Sequence, residues 1–250
     1  MTGMIQIAAT TEDHGGFEGY RADPPEAIRG ALIVIHEIWG LVDHIKGVAD
    51  RFADEGYLVI APDLLTGIGV DPVAGQELHK LASSNDEAER TAGQPLMREK
   101  LAPMRSPEYA EWAIGALKKV VDYLEQQPGV DGRIGVVGFC FGGTYSFALA
   151  AADDRIRAAV PFYGAPPATA DAAAIGAPVL ALYGSTDANL MASLPEVTER
   201  MAAAGVDFRS HTYEGAGHAF FNDTNSRTYQ EAVAADAWQR ALAFLAETLV

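Results

Sequence analysis

The sequence predicts an α/β fold: a mostly parallel central sheet with helices on both faces. Three observations carry that prediction. Short unbroken apolar runs recur along the chain, as in strands covered on both sides. Segments with helical spacing of apolar residues separate those runs. Pro, Gly and Asp close several of them, as turn residues do.

The elements follow in order. The first 22 residues suggest an edge hairpin. Residues 31–36 (A-L-I-V-I-H) read as a buried strand. Residues 44–54 have helical spacing, with Ile45, Val48, Ala49 and Phe52 on one face, and Gly56 stops the helix. A strand at 57–61 closes at Pro62 and Asp63. Residues 108–126 form an amphipathic helix ended by Pro128 and Gly129. A strand at 133–138 and a helix at 141–152 flank a tight turn. Strands at 156–163 and 178–183, a helix at 194–204, a strand at 207–213 and a last helix at 226–249 complete the alternation. Residues 64–106 break it, being long, polar in patches and rich in helix formers. Such an excursion reads either as a lid over a site or as a surface insertion.

At 250 residues, 49% of them hydrophobic, the chain can bury a sizeable core. With no repeat and no low-complexity linker, it reads as one domain over 1–250 with a lid-like excursion around 64–106. The net charge of −16 argues against nucleic acid and anionic membrane as partners. It also repels anionic substrates at long range. The single cysteine excludes an intrachain disulfide. The N-terminus lacks the basic and apolar regions of a signal peptide, and no stretch reaches the ~20 apolar residues of a membrane span. A cytoplasmic protein, monomer or homodimer, is expected.

The turn V-V-G-F-C-F-G-G, residues 136–143, carries the chemistry. Gly138-Phe139-Cys140-Phe141-Gly142 fits G-x-Nuc-x-G, in which a strained strand-to-helix turn presents a nucleophile and glycines admit neighbouring backbone. Taken alone, the pattern also fits a cysteine acting as a small core hydrophobe. A helix start favours thiolate, but an ordinary thiol, with a pKa of ~8.5, is mostly protonated at neutral pH. A catalytic Cys140 therefore needs a base.

Hydrolases with this elbow place the acid and then the histidine downstream of the nucleophile. L-A-L-Y-G-S-T-D puts Asp187 after an apolar strand, and Y-E-G-A-G-H-A-F puts His218 in a glycine-rich loop after the next strand. Each has an ordinary alternative: a turn or cap aspartate, and a solvated loop histidine. Their order, each past its own strand end, points to a triad of Cys140, His218 and Asp187. His14, His36, His44, His79 and His211 fit less well. An oxyanion hole is expected from the backbone N–H groups of Phe141 and, in the loop H-E-I-W-G, of Ile38. Glu37 is a carboxylate directly after a buried strand, either a surface or capping residue or one that sets protonation at the thiol.

With these residues in place, the sequence resembles the dienelactone hydrolase (carboxymethylenebutenolidase) family of α/β-hydrolases. V-I-H-E-I-W-G-L, G-Y-L-V-I-A-P-D-L, V-V-G-F-C-F-G-G, Y-G-S-T-D and G-A-G-H-A-F-F-N occur in the family's order and span most of the chain. The resemblance implies an α/β-hydrolase fold, a Cys140–His218–Asp187 triad, and an oxyanion hole at Ile38 and Phe141. It also implies that Glu37 contacts the resting cysteine and helps convert it to thiolate when substrate binds. The implied reaction is hydrolysis of a small lactone or ester through an acyl-enzyme, with no metal and no organic cofactor. Dienelactone-specific relatives carry an arginine four residues after the histidine; here that position is Asn222. A second arginine belongs in the excursion, where Arg90, Arg98 and Arg105 compete for the place. A neutral or weakly anionic substrate is therefore expected, bound among Trp39, Tyr163, Phe220 and Asn222, the three aromatic residues reading equally as pocket lining or as core near strand ends. The rival readings are a non-catalytic ligand-binding module on the same fold and a redox-responsive thiol protein.

Overall fold

The computed structural model describes residues 2–7, 16–166 and 172–250. Its strands are β1 (Gly3–Ile7), β2 (Phe17–Ala22), β3 (Gly30–Ile35), β4 (Tyr57–Pro62), β5 (Ile134–Phe139), β6 (Ile156–Phe162), β7 (Val179–Gly184) and β8 (Phe208–Tyr213). They form one sheet in the order β1-β2-β4-β3-β5-β6-β7-β8. From β4 to β8 all neighbours are parallel. β1 and β2 add the antiparallel edge hairpin expected of the first 22 residues.

The helices are α1 (Asp43–Asp54), α2 (Pro72–Ser83), α3 (Glu87–Lys100), α4 (Pro107–Glu125), α5 (Phe141–Ala152), α6 (Ala188–Ala203) and α7 (Glu231–Thr248). They cover both faces of the sheet. Ile45, Val48, Ala49 and Phe52 of α1 share one core with Trp238 and Phe244 of α7, on the side that receives Leu32 and Val34. Leu117 and Val121 of α4, Phe147 of α5 and Val197 of α6 fill the other side with Ala31, Ile33 and Ile35. The alternation inside β3 thus feeds two cores at once, which is why its apolar run is unbroken. This is an α/β-hydrolase fold.

Two boundaries differ from the sequence reading by more than one residue. α6 starts at Ala188 rather than near 194, because Asp187 caps it through Leu190 N–H at 3.5 Å. Pro195, which suits a first turn, lies inside this helix. α7 starts at Glu231 rather than 226. The preceding residues fold into turns around Asn225, whose carbonyl accepts from Thr228 and Tyr229.

The excursion is ordered into α2, α3 and two 3-10 turns, Thr66–Ile68 and Ala102–Arg105. Asp71 and Asp86 cap its helices. Its apolar residues Leu65, Val70 and Leu78 form a third cluster with Tyr109 and Ala113 of α4, and Trp39 and Phe141 pack against that cluster. The excursion therefore rests on the loops after β3 and β5. Among the described residues no helix is long and apolar enough to cross a membrane.

Candidate active site

Parallel pairing brings the C-terminal ends of five strands together. Ile35 of β3 pairs with Gly138 of β5, Phe139 with Phe162 of β6, Phe162 with Leu182 of β7, and Gly184 with Tyr213 of β8. The loops that follow carry Glu37, Cys140, Tyr163, Asp187 and His218 in turn.

Cys140 joins β5 to α5 at φ 56° and ψ −110°. A residue with a Cβ occupies that region at a cost of about 1–3 kcal/mol. Neighbouring backbone holds it there. Cys140 N–H donates to the Phe162 carbonyl at 3.0 Å, Gly142 N–H to that of His36 at 3.1 Å, and Thr144 N–H to that of Cys140 at 3.1 Å. The glycines make these approaches possible. A Cβ on Gly138 would lie 2.0 Å from the Gly142 oxygen, and one on Gly142 would lie 2.2 Å from the Ile35 oxygen. Among the described residues four non-glycines have positive φ, and three of them, Cys140, Tyr163 and Ala219, lie in these loops.

His218 Nδ1 lies 2.6 Å from Asp187 Oδ2. A carboxylate only accepts, so Nδ1 carries the proton and Nε2 keeps the lone pair. The two loops are fastened to each other: Thr186 donates both N–H and Oγ1–H to the Ala216 carbonyl at 2.9 Å, and Gly215 N–H donates to Ser185 Oγ at 2.9 Å. The Asp187 side chain is 11% exposed and that of His218 45%, so the ring is anchored from inside while its far edge meets solvent. Tyr163 packs against the imidazole with centroids 5.1 Å apart. Among the described residues neither ring nitrogen of His218 is hydrogen-bonded to Cys140.

Glu37 is buried at 3% exposure, with no cation among its hydrogen-bond partners. Tyr163 Oη donates to Oε1 at 3.3 Å and Asn222 Nδ2 to Oε2 at 2.5 Å. Burial pushes its carboxyl up to about 7, and the two hydrogen bonds only partly offset that. Burial and the nearby Glu37 carboxylate push the Cys140 thiol up to about 12, against the opposing pull of the Phe141 and Ile38 N–H groups. The lowering expected at a helix start is outweighed here. In this arrangement the resting side chain is a thiol.

The loop holding Ile38 is set by His36, which is fully buried. Leu64 N–H donates to His36 Nε2 at 3.1 Å, so Nδ1 carries the proton and donates to the Glu37 carbonyl at 2.6 Å. The sequence offered His36 only as a poor fit for a catalytic base; its neutral ring instead braces the loop from inside. Its ring stacks on Phe141 at 5.7 Å.

The four residues expected around substrate are placed differently from one another. Trp39 is half-buried beneath the excursion. Tyr163 and Phe220 are buried, Tyr163 with its hydroxyl on Glu37 and Phe220 among Phe162, Tyr163 and Tyr213. Asn222 is 2% exposed and its amide is committed to Glu37 and Thr224. Of the excursion's arginines, Arg90 donates to the Ser84 carbonyl at 2.8 Å, while Arg98 and Arg105 are exposed. His44 and His79 lie at the foot of the excursion, His211 lies on β8, and His14 lies outside the described residues. The Glu37 network of Tyr163, Asn222 and Thr224 was not read from the sequence. Its one local signal is N-D-T at 222–224, an Asx turn in which Thr224 N–H and Oγ1–H both donate to Asn222 Oδ1.

Comparison with known proteins identifies the family of this chain. The Dienelactone hydrolase family matches residues 17–249. The chain is 32% identical over 242 residues to the "Putative carboxymethylenebutenolidase" of Saccharolobus solfataricus, covering 88% of this chain and 90% of that one. It is 33% identical over 238 residues to "Protein usf" of Aquifex pyrophilus, covering 92% and 93%. The crystal structure of a "Putative Dienelactone Hydrolase" from Klebsiella pneumoniae superposes with a TM-score of 0.79 at 28% identity, covering 99% of both chains. With its elbow, its strand-end loops and a match over nearly its whole length, this chain belongs to the dienelactone hydrolase family.

Proposed function

We propose that this protein hydrolyses a small lactone or carboxylic ester through a cysteine acyl-enzyme. The observation that supports the reading is the 2.6 Å His218–Asp187 pair at the same end of the sheet as a cysteine held at positive φ in a strand-to-helix elbow. In the proposed cycle the resting thiol is protonated and unreactive. Substrate binding moves the thiol proton to the Glu37 carboxylate, whose raised pKa of about 7 makes it a competent acceptor. The thiolate then adds to the substrate carbonyl, and the N–H groups of Ile38 and Phe141 hold the oxyanion. Collapse of the tetrahedral adduct expels the alkoxide, which takes the proton that Glu37 received from the thiol. His218 Nε2 next draws a proton from water, which attacks the thioester. Thiolate leaves, the carboxylic acid product is released, and the proton held by His218 returns to the sulfur, which restores the resting thiol.

The substrate class that fits is neutral or weakly anionic. Asn222 spends its amide on Glu37 and Arg90 donates to a backbone carbonyl, which supports that choice. In this reading the excursion 64–106 is a lid, supported by its packing on Trp39 and Phe141.

The test is mass spectrometry of the intact protein after mixing with an activated ester, followed by steady-state rates on neutral and carboxylated lactones. A transient acyl adduct on Cys140 and rates at least equal on neutral lactones are expected. Wild-type turnover by Cys140→Ala overturns the mechanism. Tight binding without turnover would instead favour a ligand-binding module.

A further inference from the structure

The excursion meets the main fold along a seam beside the Cys140 site. Gly75 of α2 lies against the backbone of Trp39, where a Cβ would fall 1.8 Å from the Trp39 carbonyl oxygen. One turn on, the His79 ring packs on the Trp39 indole with centroids 5.3 Å apart. Across the seam, His44 stands in the first turn of α1 with Nδ1 2.9 Å from Asp223 Oδ1. Beyond α2, the Ser84 carbonyl also accepts from Arg227 at 3.4 Å. The seam thus ties the excursion to the loop after β3 and to the loop after His218.

Two atoms in this seam do not fit a purely structural contact. Nε2 of His44 and Nε2 of His79 are both buried, and neither has a hydrogen-bond partner among the described residues. Buried polar atoms without partners are costly and uncommon in native interiors. Two of them near enough for a charge on one to act on the other make the closed seam a marginal arrangement.

We propose that His44 and His79 form an acid-sensitive latch, which keeps the excursion seated on Trp39 while both rings are neutral and releases it when they take up protons.

The charges around the pair support this direction. His44 is faced by Asp223 from the loop after His218, by Arg51 from its own helix and by His79 from α2. Burial holds His44 below its ordinary range, and Asp223 opposes that only in part, being 58% exposed and therefore screened. Burial likewise holds His79 low, and a charge on His44 lowers it further. The closed seam thus binds protons less readily than an open one. The two histidines' contribution to closure is complete above the ordinary histidine pKa of ~6.5 and weakens as pH falls below it. The open-to-closed ratio can rise at most about 100-fold between pH 7.5 and 5.5 with two such rings, the limit in which both stay neutral when closed, and at most about 10-fold with one. Trp39 adjoins Ile38 and Asp223 adjoins Asn222, so opening loosens the oxyanion loop and the Glu37 support together.

Hydrogen–deuterium exchange of the full chain tests the latch. Peptides covering 70–83 and 37–44 are followed at pH 5.5 and 7.5, with times scaled for intrinsic exchange. Amide exchange is read without reference to catalysis, so the result stands whether or not Cys140 is a nucleophile. Opening in wild type should increase on acidification by more than 10-fold and up to about 100-fold, in His79→Phe and His79→Gln by no more than about 10-fold, and in His44→Phe/His79→Phe not at all. The glutamine variant covers the case in which phenylalanine fails to fit. No acid-induced opening in wild type, or the same opening in wild type and both single variants, overturns the proposal.

Discussion

Asn222 donates its side-chain amide to Glu37 at 2.5 Å, joining the loop after His218 to the loop after β3. Thr224 grips the other end of that amide, with Oγ1 2.6 Å and N 3.0 Å from Asn222 Oδ1, so the NH2 group has one orientation. The result is a buried carboxyl supported by neutral donors. A neutral donor steadies a carboxylate less than a cation does, which leaves burial as the dominant influence on Glu37.

That balance gives stability a pH signature. The folded state holds the Glu37 proton more tightly than the unfolded chain, whose glutamate has a pKa of ~4.3. The associated stability is complete below that value, is lost as pH rises toward about 7, and is flat beyond. Urea unfolding of wild type and Glu37→Gln at pH 5 and pH 8 measures it. Relative to wild type, the variant should gain about 2 kcal/mol between the two pH values. Parallel behaviour of the two proteins would refute the raised carboxyl.

Removing the amide should make matters worse for the carboxylate. Asn222→Leu leaves Oε2 without its donor, so the Glu37 carboxyl titrates at higher pH and the fold loses about 1–3 kcal/mol at pH 8. Asn222→Arg supplies a cation and should move the titration down. Carbon-13 NMR of the glutamate carboxyls follows both, and a titration that ignores position 222 sinks the assignment.

The thiol offers an independent reading. With its pKa pushed up to about 12, resting Cys140 should react slowly with iodoacetamide at pH 7.5, and the rate should still be climbing at pH 9.5. Glu37→Gln removes a neighbouring negative charge and should speed alkylation several-fold at fixed pH. A plateau near pH 7 would mean that the thiolate is already present at rest.

Asp187 serves two ends, capping α6 and holding His218. Asparagine retains an oxygen for the cap, but its amide NH2 cannot fix the Nδ1–H tautomer as a carboxylate does. Asp187→Asn should therefore lower kcat/KM on an activated ester by about 10³–10⁴-fold with little change in Tm. A tenfold loss or less would demote the pair to a structural contact.

The elbow glycines should tolerate no side chain. In Gly142→Ala the new methyl meets the Ile35 oxygen at 2.2 Å and the His36 oxygen at 2.7 Å. A loss of more than about 4 kcal/mol, or failure to fold, is expected because backbone on both sides must move. Gly67→Ala, with nothing within 4 Å, is the control and should cost little. Comparable Tm values for the two would contradict the packing.

Much of this protein is legible in its sequence because the controlling interactions are local. Unbroken apolar runs identify β3, β4, β5 and β7, since a strand covered on both faces can expose neither alternate residue. G-F-C-F-G-G announces the elbow, since its tight backbone approaches require those glycines. The order of Cys140, Asp187 and His218, each past a strand, follows from the same patterns. The limits of α6 and α7 were less legible. Asp187 starts α6 six residues before the helix expected from the sequence and leaves Pro195 inside it, and the turns at Asn225 replace helix by side-chain and backbone bonds.

Tertiary structure decided the protonation and support of the site. Nothing near Asn222 in sequence says that its amide reaches Glu37, 185 positions away. Nor does the chain reveal that Tyr163 touches Glu37 and His218 together, or that His36 braces the loop after β3. Residue types and strand ends are local properties, written in consecutive residues. Burial and hydrogen-bond partners depend on which strand ends the sheet order makes neighbours, and these set the Glu37 carboxyl at about 7 and the Cys140 thiol at about 12.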